Sequence, residues 1–396
     1  MDALMLPLNW QRVRLGDIGK PCMCKRVMKH QTTRYGEIPF YKIGTFGNTA
    51  DAFISKKLFL EYKTKYSFPK KGDILISASG TIGRAVIYDG KPAYFQDSNI
   101  VWIDNDETLV KNDFLFYVYS HVKWNTEHTT ILRLYNDNFR NTLIPLPPLN
   151  EQIAIANILS DVDRYLYSLD ALILKKESVK KALSFELLSQ RKRLKGFNQA
   201  WQRVRLGDIC YLKNGFSFKS DLFKNMGIPI IRISNISSVD NCINTNDLVF
   251  YDPILIDNDY ILKQGDLILA MSGATTGKSC LYNLNKIAYL NQRVGVFRAK
   301  TSFCYDFLVQ FVFSELFTSR LKLILTAGAQ PNISSFDIED FEILLPPLDE
   351  QIAIANILSG LDSEIISLKN KKRQFENIKK ALNHDLMSAK IRVLKK

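Results

Sequence analysis

Apolar residues recur in steps of three and four along two long stretches, one from Leu159 to Leu187 and one from Leu358 to Leu386. This spacing places apolar side chains on one face of an α-helix. Each helix would hold about 40 residues and measure about 60 Å, which is too long to be buried against one domain of this size. We predict that the two apolar faces pack against each other as an antiparallel coiled coil, because a second globular segment must be placed before the second helix returns.

Two lysines, Lys176 and Lys180, interrupt the first apolar face. Lysines at these positions weaken an ideal coiled coil, and we interpret them as a place where another subunit docks. The alternative to a helix pair is that each helix packs separately on its own domain.

The start of each helix is marked by the motif Pro-Pro-Leu-(Asn/Asp)-Glu-Gln. The proline pair ends the preceding strand, and Asn150 and Asp349 are expected to cap the helices. Glu151 and Glu350 are expected in the first turn, where a negative charge suits the helix dipole.

Short apolar runs bounded by glycine and proline fill the rest of the chain. They predict strands and helices in two globular segments of mixed type. The strand candidates are residues 38–44, 72–79 and 85–90, with counterparts at 228–234, 265–272 and 279–283, and the helix candidates are 112–126 and 305–322.

The chain repeats itself. WQRVRLGDI begins at Trp10 and again at Trp201, and PPL(N/D)EQIAIANILS begins at Pro147 and again at Pro346, while the residues between these phrases diverge. We predict an α+β fold with an internal pseudo-twofold repeat, in which one architecture presents two different surfaces. The predicted segments are two globular domains (1–146 and 197–345), a central helical spacer (147–196) and a C-terminal helical spacer (346–396).

The charge of the chain favours a polyanionic partner. The 396 residues include 46% hydrophobic residues, enough for two cores, and carry a formal net charge of +13. Residues 1–149 have 20 basic and 14 acidic side chains, whereas residues 197–348 have 14 of each. Basic proteins bind nucleic acid through phosphate contacts, although a charge of this size also occurs on proteins that do not.

No apolar run is long enough for a membrane span, and the N-terminus lacks the features of a secretory signal. Six scattered cysteines without a CxxC pair favour reduced thiols in a cytoplasmic protein. A zinc site built on Cys22 and Cys24 is the less favoured alternative.

Catalytic motifs are missing from the sequence. SGATTGKS resembles a phosphate-binding loop, but Gly273 and Gly277 enclose three residues rather than four, and the repeat has Arg84 and Ala85 in place of Lys278 and Ser279. We interpret it as a glycine-rich turn that allows close backbone approach. No methyltransferase tetrad, nuclease constellation or metal-ligand spacing of histidines is present, so we predict a protein without catalytic activity or cofactor. Asp73 and Asp266 are expected to be turn acceptors.

Polar residues that differ between the two copies occupy matching positions after the predicted strands. Amide side chains can pair with adenine and arginine with guanine, and each good pair discriminates by about 1–3 kcal/mol. Divergent residues on shared positions are what two different DNA readouts require. The predicted DNA-binding residues are Lys42, Thr45, Asn48, Ser79, Arg84 and Arg133 in the first copy, and Arg232, Asn235, Ser272, Lys278, Arg293, Gln330 and Asn332 in the second.

The doubled PPL(N/D)EQIAIANILS phrase, the long helices after it and the doubled WQRVRLGDI phrase resemble the DNA specificity subunit of Type I restriction–modification systems. The resemblance covers essentially the whole chain. It implies two target recognition domains that read the halves of a bipartite double-stranded DNA site, here within 11–144 and 202–345, and an antiparallel coiled coil that spaces them. It also implies two adenine-N6 methyltransferase subunits and restriction motor subunits as partners, which use S-adenosylmethionine, ATP and magnesium.

Three other functions are open at the level of sequence. A protein–protein scaffold without DNA contact would bind independently of salt, and an enzyme acting alone would methylate or cleave DNA without partners. A specificity subunit of a modification-only system would work without the motor subunits.

Overall fold

Two compact units make up the structure, a computed structural model that describes residues 7–128, 132–237, 241–326 and 332–393. Unit 1 contains Met1–Asp170 and Lys371–Lys396, and unit 2 contains residues 171–370. Each unit therefore combines one globular segment with parts of both long helices, whereas we had predicted four consecutive segments.

The globular part of unit 1 alternates short strands and helices, followed by a helix that continues beyond the unit. Its elements are β1 (Gln11–Arg14), α1 (Leu15–Ile18), β2 (Gly19–Met23), β3 (Ile38–Tyr41), β4 (Phe53–Ile54), α2 (Lys56–Lys65), β5 (Ile74–Ser77), β6 (Ala85–Ile87), β7 (Tyr94–Phe95), β8 (Ile100–Asn105), α3 (Asn112–His121), β9 (Glu127–His128), β10 (Leu132–Arg133), α4 (Asn136–Asn141), β11 (Leu143–Leu146) and α5 (Leu149–Leu188).

Unit 2 repeats this order with local changes. Its elements are β12 (Gln202–Arg205), α6 (Leu206–Ile209), β13 (Cys210–Asn214), β14 (Ile228–Ile231), β15 (Val249–Tyr251), β16 (Ile261–Leu262), β17 (Leu267–Ala270), β18 (Ser279–Leu281), β19 (Ala288–Leu290), β20 (Val294–Ala299), α7 (Tyr305–Val312), α8 (Glu315–Thr326), α9 (Ser335–Glu339), β21 (Glu342–Leu345) and α10 (Leu348–Met387). The predicted helix at 305–322 is thus two helices, α7 and α8, separated at a buried Ser314.

Both units are built on the same two sheets. A four-stranded antiparallel sheet has the order β2-β8-β5-β6 in unit 1 and β13-β20-β17-β18 in unit 2. A second sheet has the order β4-β3-β7 in unit 1 and β15-β14-β19-β16 in unit 2, and its β3–β7 and β14–β19 pairs are parallel. The first and last strands of each globular part pair with each other, so that Gln11 lies opposite Leu146 and Gln202 opposite Leu345.

Strands β5 and β17 lie between two hydrophobic cores in their units. In β5, Ile74 and Ile76 enter one core while Leu75 enters the other, and in β17 Leu267 and Leu269 alternate in the same way with Ile268. Burial on both faces explains why these strands are continuous apolar runs in the sequence.

The turns before these strands use aspartate as predicted. Asp73 accepts a hydrogen bond from the backbone N–H of Lys70 at 2.7 Å, and Asp266 accepts one from Lys263 at 2.8 Å. Burial of Asp73 raises the pKa of its carboxyl. Both side chains therefore fix the turn that starts a core strand.

The two long helices run antiparallel to each other within each unit. In unit 1, Asp163 pairs with Lys379 at 2.5 Å and Asp170 with Lys372 at 2.7 Å, so residue numbers fall along α10 as they rise along α5. The buried side chains of this stretch, such as Leu159, belong to the predicted apolar face. The prediction of a paired antiparallel coiled coil is confirmed.

In unit 2 the later part of α5 packs antiparallel against the first part of α10. Lys176 pairs with Glu364 at 2.8 Å and Lys180 with Asp362 at 2.5 Å. These are the lysines that we interpreted as a docking place. Each of them instead forms an ion pair with a carboxylate on the facing helix, so the two lysines link α5 to α10.

The repeated Pro-Pro-Leu-(Asn/Asp)-Glu-Gln motif builds a buried joint at the start of each helix, and in the first copy Asn150 Oδ1 accepts a hydrogen bond from the backbone N–H of Glu151 at 3.0 Å. Helix α5 begins at Leu149 and α10 at Leu348, so Asn150 and Asp349 lie inside the first turn. The backbone N–H of Gln152 donates to the carbonyl of Pro148, which occupies the capping position.

Glu151 and Glu350 are almost completely buried and take part in equivalent networks. In unit 1, Trp10 Nε1 donates to Glu151 at 3.0 Å, and Arg392 donates from Nε and Nη2 at 2.6 and 2.9 Å. In unit 2, Trp201 and Arg193 bind Glu350 in the same way. The hydrogen bond to the carboxylate raises the pKa of both guanidinium groups.

The neighbouring glutamines link each helix start to the globular part. Gln152 is fully buried, donates to the carbonyls of Leu109 and Pro147, and accepts from the backbone N–H of Lys111 at 2.9 Å. Gln351 accepts from the backbone N–H of Cys304 at the same distance. The near-identity of the motif in the two copies follows from these buried contacts.

None of the helices in the part of the chain that the structure describes has the length and apolar content to cross a bilayer. Within the same residues, His, Cys, Asp and Glu form no group of three or more that could hold a metal ion. Cys24 is buried, and burial raises the pKa of its thiol to about 12.

Candidate nucleic-acid interface

Four segments of unit 1 that contain or contact the predicted DNA-binding residues lie together, and three of them follow the carboxyl ends of β3, β5 and β7. The first follows β3, where Thr45 Oγ1 accepts a hydrogen bond from the backbone N–H of Lys42 at 3.1 Å. The half-exposed Lys42 Nζ forms an ion pair with Asp51 at 2.8 Å. Asn48, in the middle of this loop, is exposed.

The second loop is the glycine-rich turn between β5 and β6. Gly80 and Gly83 have φ angles of 66° and 83°, in the left-handed region that glycine adopts without strain. The exposed Arg84 reaches the first loop, with its Nη2 3.5 Å from Asn48 Oδ1. The turn and the first loop therefore form one continuous surface.

The third loop, residues 96–99, contacts both. Gln96 Oε1 accepts from the backbone N–H of Ile43 at 3.0 Å, and Ser79 Oγ donates to Asn99 Oδ1 at 2.7 Å. The fourth segment joins through a bridge between Ser79 and Arg133. The first, third and fourth segments line a groove of about 450 Å³, whose walls include Lys42, Gln96, Asp97, Asn99 and Arg133.

Unit 2 brings its matching loops together in the same manner. Thr275 of the glycine-rich turn donates to the carbonyl of Ile233 at 3.0 Å, and the backbone N–H of Met271 donates to the carbonyl of Arg293 at 3.0 Å. The backbone N–H of Ile333 donates to the carbonyl of Met271 at 2.8 Å, which adds the segment that contains Asn332.

The predicted residues differ in how accessible they are. Most are at least partly exposed: Lys42, Thr45, Asn48, Arg84 and Arg133 in unit 1, and Arg232, Lys278, Arg293 and Asn332 in unit 2. Ser272 is partly exposed as a residue, but its hydroxyl oxygen is buried. Gln330 lies outside the described residues.

Two of the predicted residues are buried, which corrects our expectation that they face the DNA. Ser79 is buried and holds Asn99. Asn235 is 1% exposed, accepts from the backbone N–H of Arg232 and donates to the carbonyls of Asn244 and Asp247. Both side chains shape the loops because their hydrogen-bonding groups are occupied inside the protein.

Arg26 and Lys29 also line the groove of unit 1, and the sequence comparison missed them. They precede β3, and the comparison of the two copies considered only polar residues that follow the predicted strands, so it did not include them. The local run of basic residues from Lys25 to Lys29 was the available signal.

The glycine-rich turns approach a packed side chain rather than open space. A Cβ on Gly83 would lie 2.1 Å from Nε1 of Trp124, and one on Gly277 would lie 3.0 Å from Cδ2 of Leu321. The close backbone approach inferred from the sequence is therefore made to the protein's own core.

We expect Gly83→Ala to lower the free energy of unfolding of unit 1 by about 2 kcal/mol or more, because a left-handed φ and a clash combine. Urea denaturation followed by tryptophan fluorescence measures this. Gly80→Ala is the matched control, since a Cβ there meets only Ile43 at 4.0 Å, and it should cost about 1 kcal/mol. Equal losses in the two variants would contradict the role of Trp124.

The family of the chain follows from comparison with known proteins. A model of the Type I restriction modification DNA specificity domain matches the chain twice, at residues 7–176 and 198–377. The chain belongs to this family.

Two curated specificity subunits illustrate the relationship. The Type I restriction enzyme MjaVIII specificity subunit of Methanocaldococcus jannaschii is 30% identical over an alignment of 421 residues including gaps. The alignment covers 99% of this chain and 95% of that protein. The putative specificity subunit S.HindORF215P of Haemophilus influenzae is 64% identical over 148 residues, which span 37% of this chain and 38% of that protein.

Solved structures show the same fold. The Type I restriction–modification S subunit from M. genitalium has a TM-score of 0.63 at 17% identity, with 96% of this chain and 98% of that chain covered. A chain from a study of complex assembly and conformational transition of the type I R-M system has a TM-score of 0.55 at 17% identity, with 97% and 98% covered. The two-unit α+β fold with paired long helices is thus that of Type I specificity subunits.

Proposed function

We propose that this chain is the DNA-reading subunit of a Type I restriction–modification complex and that each unit recognises one half of a bipartite double-stranded site. The observation that carries the proposal is the convergence of the same four loops in both units. Their backbones are held by equivalent hydrogen bonds, whereas their exposed side chains differ. A shared frame with divergent amides and guanidinium groups is suited to reading two different base sequences.

The charge distribution supports contact with phosphates in each unit. Four basic residues of unit 1 line the groove, namely Arg26, Lys29, Lys42 and Arg133, together with one acidic residue, Asp97, which is paired with Arg26 at 2.7 Å. Unit 2 has a neutral globular segment, but Lys278 and Arg293 are exposed at the loop edge. Exposed basic side chains at these loops can therefore contact phosphates even though the globular segment of unit 2 has no net charge.

The decisive experiment maps methylated adenine in genomic DNA with and without this chain. The proposal expects a split motif to be methylated only when the chain is present. Methylation of the same motif in its absence would refute the assignment of DNA recognition to this chain.

Partner subunits would supply the chemistry. We propose that two adenine-N6 methyltransferase subunits and restriction motor subunits join this chain in the cytoplasm, and that they use S-adenosylmethionine, ATP and magnesium while this chain holds no cofactor. The purified chain incubated with a methyl donor, or with magnesium, should neither methylate nor cleave DNA.

The helices carry apolar side chains that face solvent and would suit docking of the methyltransferases. Exposed apolar side chains that form a contiguous patch mark interaction sites on protein surfaces. These residues are Ile153, Tyr167 and Ile378 in unit 1, and Leu172, Leu174, Val179, Ile352, Ile357 and Ile366 in unit 2.

We expect Tyr167→Ala to weaken binding of a methyltransferase subunit about tenfold or more, because Tyr167 is 78% exposed and aromatic anchors dominate many interfaces. Titration of the chain with that subunit in analytical ultracentrifugation measures the loss. Tyr35→Ala is the control, since Tyr35 is 87% exposed but belongs to a loop before β3. Unchanged affinity of the Tyr167 variant would exclude this face as the contact.

A further inference from the structure

Backbone hydrogen bonds define which residues of the two units occupy equivalent positions more sharply than the sequence alignment does. The N–H of Gln96 donates to the carbonyl of Tyr41, and the N–H of Asn291 donates to the carbonyl of Ile231 in the same parallel strand pair. Gln96 and Asn291 are therefore equivalent.

The next equivalent pair is Asn99 and Arg293. The carbonyl of Asn99 accepts from the N–H of Ala78 at 2.7 Å, and the carbonyl of Arg293 accepts from the N–H of Met271 at 3.0 Å. The loop of unit 1 is one residue longer here, and Ser98 accommodates the extra residue with a φ of 59°.

The last pair is Arg133 and Asn332. The following residues, Leu134 and Ile333, donate their N–H groups to the carbonyls of Ala78 and Met271 at 2.9 and 2.8 Å. Arg133 and Asn332 thus precede the same backbone contact, and both are exposed.

These positions combine a fixed backbone with a variable, accessible side chain. Gln96, Asn99 and Asn291 are partly exposed, and Arg133, Arg293 and Asn332 are exposed. By contrast, Ser79 and Asn235 at other predicted positions are buried and serve the loops themselves. Only accessible side chains can change the base that is read without changing the fold.

The hydrogen-bonding groups that line the groove of unit 1 indicate which kind of base edge it would bind. The carbonyl oxygen of Gln96 is already held by the backbone N–H of Ile43, so its amide is oriented and the NH₂ group is left to donate. Arg133 and Lys29, which line the same groove, are donors only. The carboxylate of Asp97 also lines the groove, but it is paired with Arg26 at 2.7 Å. A groove rich in donors suits a base edge with acceptors, and guanine presents two in the major groove, O6 and N7.

We propose that three equivalent positions determine the base sequence that each unit reads: Gln96, Asn99 and Arg133 in unit 1, and Asn291, Arg293 and Asn332 in unit 2. Arginine occupies the third position in unit 1 and the second in unit 2. Each arginine reads a guanine through its paired N–H groups, at a different place in the two half-sites. This inference rests on the proposed function and assigns its specificity to named residues.

The test uses the full chain assembled with its methyltransferase subunits and a DNA library with randomised half-sites. Arg133→Ala is expected to reduce discrimination at one base pair of the first half-site by about 5- to 150-fold, with the second half-site unchanged. Arg293→Ala is expected to do the same in the second half-site only. Circular dichroism confirms that each variant is folded.

Arg12→Ala is the matched control, because Arg12 is an exposed arginine on β1 of unit 1 and does not line the groove. It should leave both half-sites unchanged. A uniform loss of affinity for all sequences in the Arg133 variant, with a smaller salt dependence, would identify a phosphate contact and overturn the proposal. Unchanged discrimination would overturn it as well. The proposed function would survive both outcomes, whereas it would fail if the unmodified complex methylated without sequence preference.

Discussion

Replacing residues 202–345 with the corresponding segment of another specificity subunit is expected to give a complex that recognises a new second half-site and keeps the first. The physical reason is that the loops of unit 2 are held by contacts within that unit, such as the Thr275–Ile233 hydrogen bond. Methylated-adenine mapping of cells that carry the hybrid chain measures both half-sites in one experiment.

The boundaries of this exchange match the structure. Gln202 and Leu345 lie opposite each other in the β12–β21 pair, so the exchanged segment begins and ends at one place in the fold. Trp201 and Glu350, which form the buried joint, remain native. The contact of Gln351 with the exchanged segment is made to a backbone N–H, which any residue at position 304 other than proline supplies.

The reciprocal exchange of residues 11–146 is the control and should alter only the first half-site. A change in both half-sites from either hybrid would mean that the units do not read DNA independently. Loss of all methylation from a hybrid that still binds the methyltransferases would equally contradict the modular assignment.

The sequence was sufficient to predict the elements that periodicity and repetition determine. The α5–α10 pairing follows from apolar steps that match in two copies, and the direction follows from connectivity. Strands such as β5 and β17 were predicted because burial on both faces leaves a continuous apolar run. The loop residues were selected as candidates because divergent polar residues recur at matching positions after these strands. That their loops lie together is seen only in the structure.

Sequence patterns were insufficient where a polar side chain makes its hydrogen bonds inside the protein. Asn235 has the composition of a base-reading residue, but its amide is consumed by Arg232, Asn244 and Asp247. Glu151 suits the start of a helix, yet its partners lie 141 residues before it and 241 residues after it in the chain. Contacts over such distances depend on tertiary packing, which local sequence patterns do not encode.

Glu151→Ala is expected to lower the free energy of unfolding of unit 1 by about 3 kcal/mol or more. Glu151 is 2% exposed and accepts hydrogen bonds from Trp10 and Arg392. Its removal leaves the buried indole N–H of Trp10 without an acceptor and the guanidinium of Arg392 without its counter-charge. Hydrogen-exchange mass spectrometry, read separately for peptides of each unit, measures the loss of protection.

Asp170→Ala is the matched control for the loss of a carboxylate in the same unit. Asp170 pairs with Lys372 at 2.7 Å, but its side chain is 54% exposed, and solvent-exposed pairs contribute about 0–1 kcal/mol. The Glu151 variant should therefore lose protection in β1, the start of α5 and the end of α10, while the Asp170 variant retains it. Unit 2 should be unaffected in both, because Glu350 keeps its own tryptophan and arginine. Similar small losses in the two variants would show that the Trp10–Glu151–Arg392 network does not stabilise the unit.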